Sequence, residues 1–420
     1  MSSAETLVIG AGPAGLAVGA CLRTRGRSFI VLERGTAIAS SWQRHYDRLH
    51  LHTDARHSAL PYLDFPPGTP RYPSREQLLA YLQRYAQHFG IAPLLSEEVC
   101  SVRRGDEEWI TTTLTGNVYR SGCVIVATGY NAVPHLPVWP GQGRFRGRIL
   151  HSSCYRNGEP FRGQRVLVVG LGNSGGEITI DLHEHGARVA VAVRGAVNIV
   201  PRDILGLPIL TISIALSRLP TRLADALAAP LLRLTLGDLS RLGFRKPDRG
   251  PITQIKRAGR IPLVDIGTVD LVRAGHIEVL GAVRSLSETE VEFSDGYSRR
   301  FDALVLATGF SPGTERFLQG IDTPIPRARG LERIGGKAGL YFCGFFVSPT
   351  GMFRDIGMEA RWIAEHVTAN KVAQTASQSG RWRMTWVDFG SSDRGAPGRE
   401  SRAAGFWQGI RRQSDQSVSL

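Results

Sequence analysis

Val-Ile-Gly-Ala-Gly-Pro-Ala-Gly, residues Val8–Gly15, places a glycine-rich turn directly after an apolar run. A helical stretch follows, and a second apolar run, Ser28–Leu32, then ends in Glu33. This order predicts the strand, turn, helix and second strand of a dinucleotide-binding unit. In such a unit the first glycine makes the tight turn, the second lets a pyrophosphate approach the backbone, and the third allows close packing of the helix, whose N-terminus faces the anion.

The same layout recurs in the middle of the chain with the opposite charge at its end. Val166–Gly175 repeats the apolar run and the glycine turn, and Val189–Val193 then ends in Arg194. An acid at the end of the second strand accepts hydrogen bonds from a bare ribose, whereas a guanidinium there attracts a 2′-phosphate. We therefore expect FAD in the first unit and NADPH in the second.

Two further apolar runs end in the same small-residue turn and mark crossings between the two units. Cys123–Gly129 and Ala303–Gly309 both finish in Ala-Thr-Gly. The sequence thus predicts an α/β fold with two Rossmann-like dinucleotide-binding domains, the NADPH domain inserted in a discontinuous FAD domain. The expected boundaries are 1–155 and 301–370 for the two parts of the FAD domain, 156–300 for the NADPH domain and 371–420 for a disordered tail.

The composition is that of an ordinary globular chain and argues against several other classes of protein. The 420 residues are 42% hydrophobic and 21% charged, which is typical of soluble domains. Five cysteines form neither a C-x-x-C pair nor a metal-ligand spacing, so we expect no dithiol reductase and no metal site. The formal net charge of +14 comes from scattered arginines; we expect no nucleic-acid partner, and a positive field suits NADPH and an acidic substrate. No basic and apolar leader precedes Leu7, so the expected location is cytoplasmic.

Three more elements follow from local patterns. Ser74–Gln77 has the spacing of a capping box and opens a predicted helix over 75–89, with Leu78, Leu82 and Tyr85 on one face. Near the end of the chain, Leu340–Gly344 is a predicted strand and 351–367 a predicted helix.

The stretch from Ile204 to Leu239 is rich in leucine and isoleucine but is interrupted by prolines and arginines, so it cannot span a bilayer. We expect one helical face to carry Leu216, Leu219, Leu223 and Leu227. That face could cover an active site, lie on a membrane surface or pack in the core. Membrane contact is the least favoured of the three.

A motif just before the second glycine turn narrows the chemistry. Residues Phe145–Tyr155 follow the pattern F-x-G-x-x-x-H-x-x-x-Y, which resembles the identifying sequence of class B flavin-containing monooxygenases. Baeyer-Villiger relatives carry Trp followed by Pro or Asp at its end, whereas this chain has Tyr155-Arg156. Over about residues 5–367 the chain is most similar to the plant YUCCA indole-3-pyruvate monooxygenases, on stretches that include Tyr46–His52, Tyr72–Ser74, Phe161–Gly163, Leu236–Asp238 and Val264–Thr268.

The resemblance implies a reaction carried by the cofactors rather than by a catalytic triad. NADPH would reduce FAD, and the reduced flavin would combine with dioxygen to give a C4a-peroxyflavin in a site that keeps water out. The substrate is then a small molecule. It is either an aromatic 2-oxo acid that is oxidatively decarboxylated or a soft nucleophile that is oxygenated on nitrogen or sulfur, and the plant-type similarity favours the oxo acid.

The same resemblance assigns the candidate site residues. His52 occupies the place where animal-type enzymes have an Asn beside the flavin, and it is the one candidate for a catalytic role. We expect His151 to be a structural hydrogen-bonding residue at a hinge and Tyr155 to pack. The candidate cofactor-binding residues are Gly10, Gly12, Pro13, Ala14, Gly15, Glu33, Arg34, Trp42, Thr128, Gly129, Gly170, Gly172, Asn173, Ser174, Gly175, Arg194 and Gly344.

Overall fold

The structure is a computed structural model that describes residues 2–318 and 339–378. The chain up to Val372 forms one compact body. Of the tail that we expected to be disordered, residues 371–378 continue the last helix, and the remainder lies outside the described residues.

The first part of the chain builds one sheet and the helices that cover it. Its elements are β1 (Ser2–Ile9), α1 (Pro13–Arg23), β2 (Phe29–Leu32), α2 (Ser40–Gln43), α3 (Ala55–Ser58), α4 (Arg75–His88), β3 (Val99–Arg104), β4 (Trp109–Thr113), β5 (Val118–Val126) and β6 (Val133–Pro134). The chain returns to this sheet with β20 (Leu340–Phe342) and α10 (Met352–Gln378).

Strand β5 is the centre of the first sheet. It pairs in parallel with β1 along its length, and on its other edge it pairs first with β4 and then, over Val124–Val126, with β20. Alternate side chains face opposite sides, as a strand requires. Val8 and Ile125 pack in the core formed with α1, α4 and α10, whereas Leu7 and Val126 pack with Trp109 on the other side.

The middle of the chain builds a second sheet together with the helices and smaller sheets around it. Its elements are β7 (Arg148–His151), β8 (Arg165–Val169), α5 (Asn173–Glu184), β9 (Arg188–Ala192), β10 (Ile199–Pro201), β11 (Asp203–Ile204), β12 (Leu207–Pro208), α6 (Ile209–Leu216), α7 (Thr221–Leu236), α8 (Pro251–Ala258), β13 (Leu263–Asp265), α9 (Thr268–Arg273), β14 (Glu278–Leu280), β15 (Val283–Leu286), β16 (Glu290–Phe293), β17 (Ser298–Arg300), β18 (Ala303–Leu306) and β19 (Phe310–Ser311). Short 3-10 helices lie at Gln142–Arg144, Ser152–Cys154, Glu159–Phe161, Leu239–Leu242 and Thr314–Arg316.

The second sheet follows the plan of the first. Its strands run in the order β14-β9-β8-β18-β7 and are all parallel. Val166 and Val168 pack with the side chains of α5 and α9 on one face, and Leu167 and Val169 pack with those of β15 and β16 on the other. Each sheet therefore has helices on one side and antiparallel strands on the other. This is the expected α/β fold with two Rossmann-like units.

The capping box is confirmed in full. The Ser74 hydroxyl accepts from the Gln77 amide at 3.2 Å, and the Gln77 side chain accepts from the Ser74 amide at 2.9 Å. Helix α4 begins at the next residue and buries the predicted face. The strand expected at Leu340 and the helix expected near Gly351 are also present, as β20 and α10.

The second sheet extends a few residues beyond both boundaries that we assigned to the NADPH domain. Its edge strand β7 lies before residue 156, and β18 lies after residue 300, between β8 and β7. The sequence predicted a crossing between the two units at Ala303–Gly309 and a return to the FAD domain from residue 301. In fact β18 holds in the second sheet the position that β5 holds in the first, beside the strand that precedes the glycine turn.

The prediction of one leucine face between Leu216 and Leu227 is wrong. Helix α6 ends at Leu216, and α7 begins at Thr221 after Pro220, so Leu223 and Leu227 lie on a different helix from Leu216. The latter two are about half exposed, and the opposite face of α7 packs inward. Among the described residues, no helix is long and apolar enough to cross a bilayer.

Candidate functional site

A cavity of about 550 Å³ is lined by residues of both glycine turns. The first turn contributes Gly10 and Gly12, and the second contributes Asn173 and Ser174 at the start of α5. The cavity continues along an apolar wall formed by α6, α7, α8 and the first residues of α10. Two nucleotide-binding turns and an apolar space thus share one cavity.

The first turn shows why its glycines are required. Gly10 has φ +105°, and a Cβ there would lie 2.6 Å from the Ala127 carbonyl oxygen. A Cβ on Gly15 would lie 1.8 Å from the Gly10 carbonyl oxygen. Gly12, in contrast, has no atom within 4 Å of its Cβ position. The outer glycines close the turn, and the middle one leaves open space where a pyrophosphate would approach.

Glu33 is buried at the end of β2 and holds the turn together. One carboxylate oxygen accepts from the Ala11 amide at 2.8 Å, and the other accepts from the Gly35 amide and the Ser40 hydroxyl, both at 2.8 Å. Arg34, the next residue, is exposed and also lines the cavity. The carboxylate therefore fixes the loop that would bind the ribose, and its position suits that contact.

The other predicted flavin-side residues converge on the same cavity. The Thr128 hydroxyl is buried and has no hydrogen-bond partner among the described residues, so it can receive a polar atom of a ligand. Gly129 has φ +83° with open space at its Cβ. The Gly344 amide donates to Glu359 at 2.8 Å. Trp42 packs edge-on against Phe353, with ring centroids 5.8 Å apart.

The second turn repeats the geometry of the first. A Cβ on Gly170 would lie 2.6 Å from the Ala307 carbonyl oxygen, one on Gly175 would lie 2.2 Å from the Gly170 carbonyl oxygen, and one on Gly172 would meet nothing within 4 Å. The Asn173 side chain accepts from the Val264 amide at 2.8 Å and fixes the start of α5. This turn therefore fits a second pyrophosphate.

Arg194 lies just past the end of β9. Its side chain is exposed and forms no ion pair within the part of the chain that the structure describes. A free guanidinium at this point can bind a 2′-phosphate in two-point fashion. The guanidinium of Arg202, in contrast to that of Arg194, packs over the Tyr72 ring, 4.2 Å from the ring centre.

The segment Tyr46–His52 connects the first unit to helix α5 of the second. The His52 Nε2 atom lies 2.5 Å from Glu177 Oε1. Arg48 forms an ion pair with Glu184 two turns further along the helix. These two contacts explain why Tyr46–His52 carries several polar residues, because the segment binds the polar face of α5.

The motif residues His151 and Tyr155 make structural contacts. The His151 ring lies 3.1 Å from the Gly309 carbonyl oxygen, and its other nitrogen accepts from the Ser153 amide. Burial lowers the pKa of His151. The Tyr155 hydroxyl donates to Asp181 on α5 at 2.6 Å, and burial together with that bond raises its pKa.

The apolar wall comes from the leucine-rich stretch and its neighbours. Leu210 of α6 lies against Gly351, and the Ser213 hydroxyl donates to the Pro349 carbonyl at 2.8 Å, which fixes α6 beside the start of α10. The side chains that complete the wall are Leu231, Leu232, Ile252, Ile255, Met352 and Phe353. Of the three interpretations of the leucine-rich stretch, this placement supports a cover over the cavity.

His45, His50 and His52 all line the cavity, and burial removes His45 from proton exchange near neutral pH. Burial, with the charges of Arg75 and Arg44, lowers the pKa of His45 to about 4, so this ring is neutral. No cysteine lines the cavity, and burial raises the pKa of the Cys21 and Cys123 thiols to about 11. Within the described residues no group of three or more His, Cys, Asp or Glu side chains is placed to hold a metal ion.

The cavity brings most of the predicted residues together. Those that line it are Gly10, Gly12, Pro13, Ala14, Glu33, Arg34, Trp42, His52, Thr128, Gly129, Asn173, Ser174 and Gly344, whereas Gly15, Gly170, Gly172, Gly175 and Arg194 do not. Sequence reasoning missed Tyr46 and Glu177. The signal for Glu177 was available, because Glu177, Asp181 and Glu184 recur at intervals of four and three residues in α5 and so share one face.

Comparison with known proteins agrees with this architecture. Residues 7–202 match the pyridine nucleotide-disulphide oxidoreductase family. The chain is 41% identical over 348 residues to the probable indole-3-pyruvate monooxygenase YUCCA1 of Arabidopsis thaliana, covering 81% of this chain and 84% of that protein. It is 41% identical to the indole-3-pyruvate monooxygenase YUCCA4 of Oryza sativa subsp. japonica, covering 86% of each.

A solved structure, the flavin-containing monooxygenase from Stenotrophomonas maltophilia, superposes with a TM-score of 0.67 at 25% identity and covers 88% of this chain and all of that one. The fold and the shared cavity define a flavin-dependent monooxygenase. More narrowly, the chain belongs to the family of flavin-containing monooxygenases that includes the plant YUCCA proteins.

Proposed function

We propose that this protein uses FAD and NADPH to decarboxylate an aromatic 2-oxo acid of the indole-3-pyruvate type oxidatively. The observation that carries the proposal is the single cavity lined by both glycine turns and closed by an apolar wall. The name shared by the curated relatives, indole-3-pyruvate monooxygenase, supports the class of substrate.

The residues around the first turn fit FAD. Gly12 leaves space for the pyrophosphate, Glu33 lies where a ribose would hydrogen-bond, and the buried Thr128 hydroxyl is free to bind a polar ligand atom. When bound, the flavin would supply, as a C4a-peroxyflavin, the oxygen chemistry that the cavity side chains lack.

The residues around the second turn fit NADPH. Gly172 leaves the matching space at the start of α5, and Arg194, whose guanidinium is unpaired within the described part of the chain, lies where it could bind the 2′-phosphate. Because Ser174 lines the same cavity as Gly12, the two cofactors would meet inside it. The apolar side chains of α6 and α7 would then exclude water from the reacting centre and accept an aromatic ring.

Product analysis tests this function. Purified, FAD-loaded protein is incubated with indole-3-pyruvate or phenylpyruvate, NADPH and oxygen, and the acids are separated and quantified. We expect the acid that is one carbon shorter, with one carbon dioxide released for each NADPH oxidised. NADPH oxidation that yields only hydrogen peroxide, with the oxo acid unchanged, would contradict the proposal.

One observation favours oxygenation of nitrogen or sulfur as the second candidate. Among the described residues no lysine lines the cavity, and the two arginines that do, Arg34 and Arg316, lie outside the apolar wall of α6 to α8. A neutral amine or thioether would need no anchor for a carboxylate. Incubation with a tertiary amine and a thioether decides between the candidates, since this alternative predicts an N-oxide or a sulfoxide and no decarboxylation.

A further inference from the structure

Helix α7 is apolar on its outward face as well as on the face that covers the cavity. Leu223, Leu227 and Leu234 are 48%, 53% and 82% exposed, and the helical period of 3.6 residues places all three on one side of α7. On the opposite side, Leu232 lines the cavity and Leu236 is buried. Among the described residues the inward face has protein partners, whereas the outward leucines lie in solvent.

The positive charge of the chain is concentrated around this helix. Residues 218–260 hold ten arginines and lysines against three aspartates, which is half of the formal net charge of +14. The Asp225 carboxylate is turned towards α8, where it accepts from the Ile252 and Thr253 amides at 2.9 and 3.0 Å. All ten basic side chains belong to exposed residues, namely Arg218, Arg222, Arg233, Arg241, Arg245, Lys246, Arg249, Lys256, Arg257 and Arg260. Of these, only Arg241 forms an ion pair within the described part of the chain, with Asp238.

Part of this charge borders the leucine face directly. Arg222 and Arg233 each precede a leucine of that face in the sequence, so they lie about 100° around the helix from it. The Lys256 ammonium of α8 donates to the Ser217 carbonyl oxygen at 2.9 Å, which brings its charge beside Arg218 near the start of α7. An apolar strip with cations along its edge is the arrangement found in helices that lie in the plane of an anionic bilayer surface.

We propose that the outward face of α7 docks on an anionic membrane surface. Leu223, Leu227 and Leu234 enter the boundary between the headgroups and the acyl chains, and the neighbouring arginines bind lipid phosphates. A second copy of this chain fits the face less well, because a symmetric contact would bring like charges together. The sequence alone favours membrane contact least, because it does not show which side of α7 the fold covers. The contact is peripheral and is independent of the proposed function.

Sedimentation with lipid vesicles tests the docking without any turnover. The FAD-loaded protein is mixed at low salt with vesicles of phosphatidylcholine alone or of phosphatidylcholine with about 30% phosphatidylglycerol, an anionic lipid. We expect the protein to sediment with the anionic vesicles and to bind the neutral ones at least about tenfold more weakly. Raising the salt to about 0.5 M should release most of the bound protein, because it screens the charges of the arginines. Equal binding to both vesicles, or binding to neither, would overturn the proposal.

Substitutions at exposed positions assign the binding to this face. Leu234→Gln should weaken binding to the anionic vesicles by at least about tenfold, because one leucine side chain no longer leaves water. Arg222→Gln and Arg233→Gln should each weaken it by about fivefold, the effect of one basic residue near a charged lipid surface. Matched controls come from the first unit, where Leu114 and Arg103 are exposed on another part of the molecule. Leu114→Gln and Arg103→Gln should bind as the wild type does, and FAD content verifies that each variant is folded.

Two further outcomes would assign the face to a different partner and so overturn the proposal. Vesicle binding that Leu234→Gln leaves unchanged would mean a general polyanion surface in which the leucines have no part. Sedimentation velocity of the protein without vesicles reports its oligomeric state. A dimer that Leu234→Gln dissociates would mean that a second copy of the chain covers the leucine face.

Discussion

The two glycine turns have the same backbone geometry and opposite chemistry at the end of the following strand. In both, a Cβ on the first glycine would lie 2.6 Å from the carbonyl oxygen of the residue that follows the neighbouring strand, and the middle glycine faces open space. The first unit ends in Glu33, which is buried and bonded to three donors, and the second ends in Arg194, which is exposed and unpaired in the described residues. Steric demands fix the turn in each unit, whereas we propose that one side chain after it determines which nucleotide fits.

The largest effect should come from the third glycine of each turn. In Gly15→Ala the new methyl group would lie 1.8 Å from the Gly10 carbonyl oxygen, so the helix must move. We expect a loss of about 3 kcal/mol in the free energy of unfolding and protein purified without FAD. Urea titration and the flavin absorbance of the purified protein measure both effects.

The matched variants test whether the two units act separately. Gly175→Ala creates the same clash, 2.2 Å from the Gly170 carbonyl oxygen, but we expect it to retain FAD and lose NADPH binding. Gly12→Ala and Gly172→Ala add a methyl group in open space and should leave the cofactor-free stability unchanged. If Gly175→Ala lost FAD as completely as Gly15→Ala, the units would not be independent.

The sequence predicts the two units well because their signals are local. Each glycine turn, its preceding strand and its following helix lie within one short stretch, and so does the capping box at Ser74. The boundary set at residue 300 left β18 outside the second sheet, because only non-local pairing decides which sheet a strand joins.

The site was predicted less completely for the same reason. Glu177 shares the polar face of α5 with Asp181 and Glu184, and its contact with His52, which lies far away in sequence, cannot be seen from the helix alone. The cavity wall depends on the packing of α6 against the start of α10. Neither contact leaves a periodic pattern in the chain. The resemblance did single out Tyr46–His52, but only the structure shows that the segment binds α5.

Acid should lower the stability of the first unit through His45, an effect that does not involve the glycine turns. His45 has its pKa lowered to about 4, so its neutral form stabilises the fold. That contribution is complete above the unfolded pKa of about 6.5 and is lost as pH falls from there towards 4. We expect about 3 kcal/mol less stability at about pH 4 from this residue, measured as the free energy of unfolding across the pH range.

The control for this effect is a histidine in solvent. His45→Gln should flatten the acid limb of the stability profile, whereas His88→Gln, at an exposed position on α4, should leave it as in the wild type. Identical profiles for His45→Gln and the wild type would contradict the assignment to His45.

The smallest effect tests the residue that distinguishes the two units most directly. Arg194→Ala removes the only charge assigned to the 2′-phosphate without touching the glycine turn, so FAD content and stability should not change. Loss of one charge-assisted contact is worth roughly 1.5 to 3 kcal/mol, which corresponds to about a 10- to 150-fold weaker Kd for NADPH. NADH carries no 2′-phosphate, and its Kd should stay within about twofold. Titration of both nucleotides into the oxidised, FAD-loaded protein gives the ratio. Equal weakening of NADPH and NADH binding would mean that Arg194 supports the fold of the second unit rather than the choice of nucleotide. The difference between Glu33 and Arg194 would then not explain which nucleotide each unit binds.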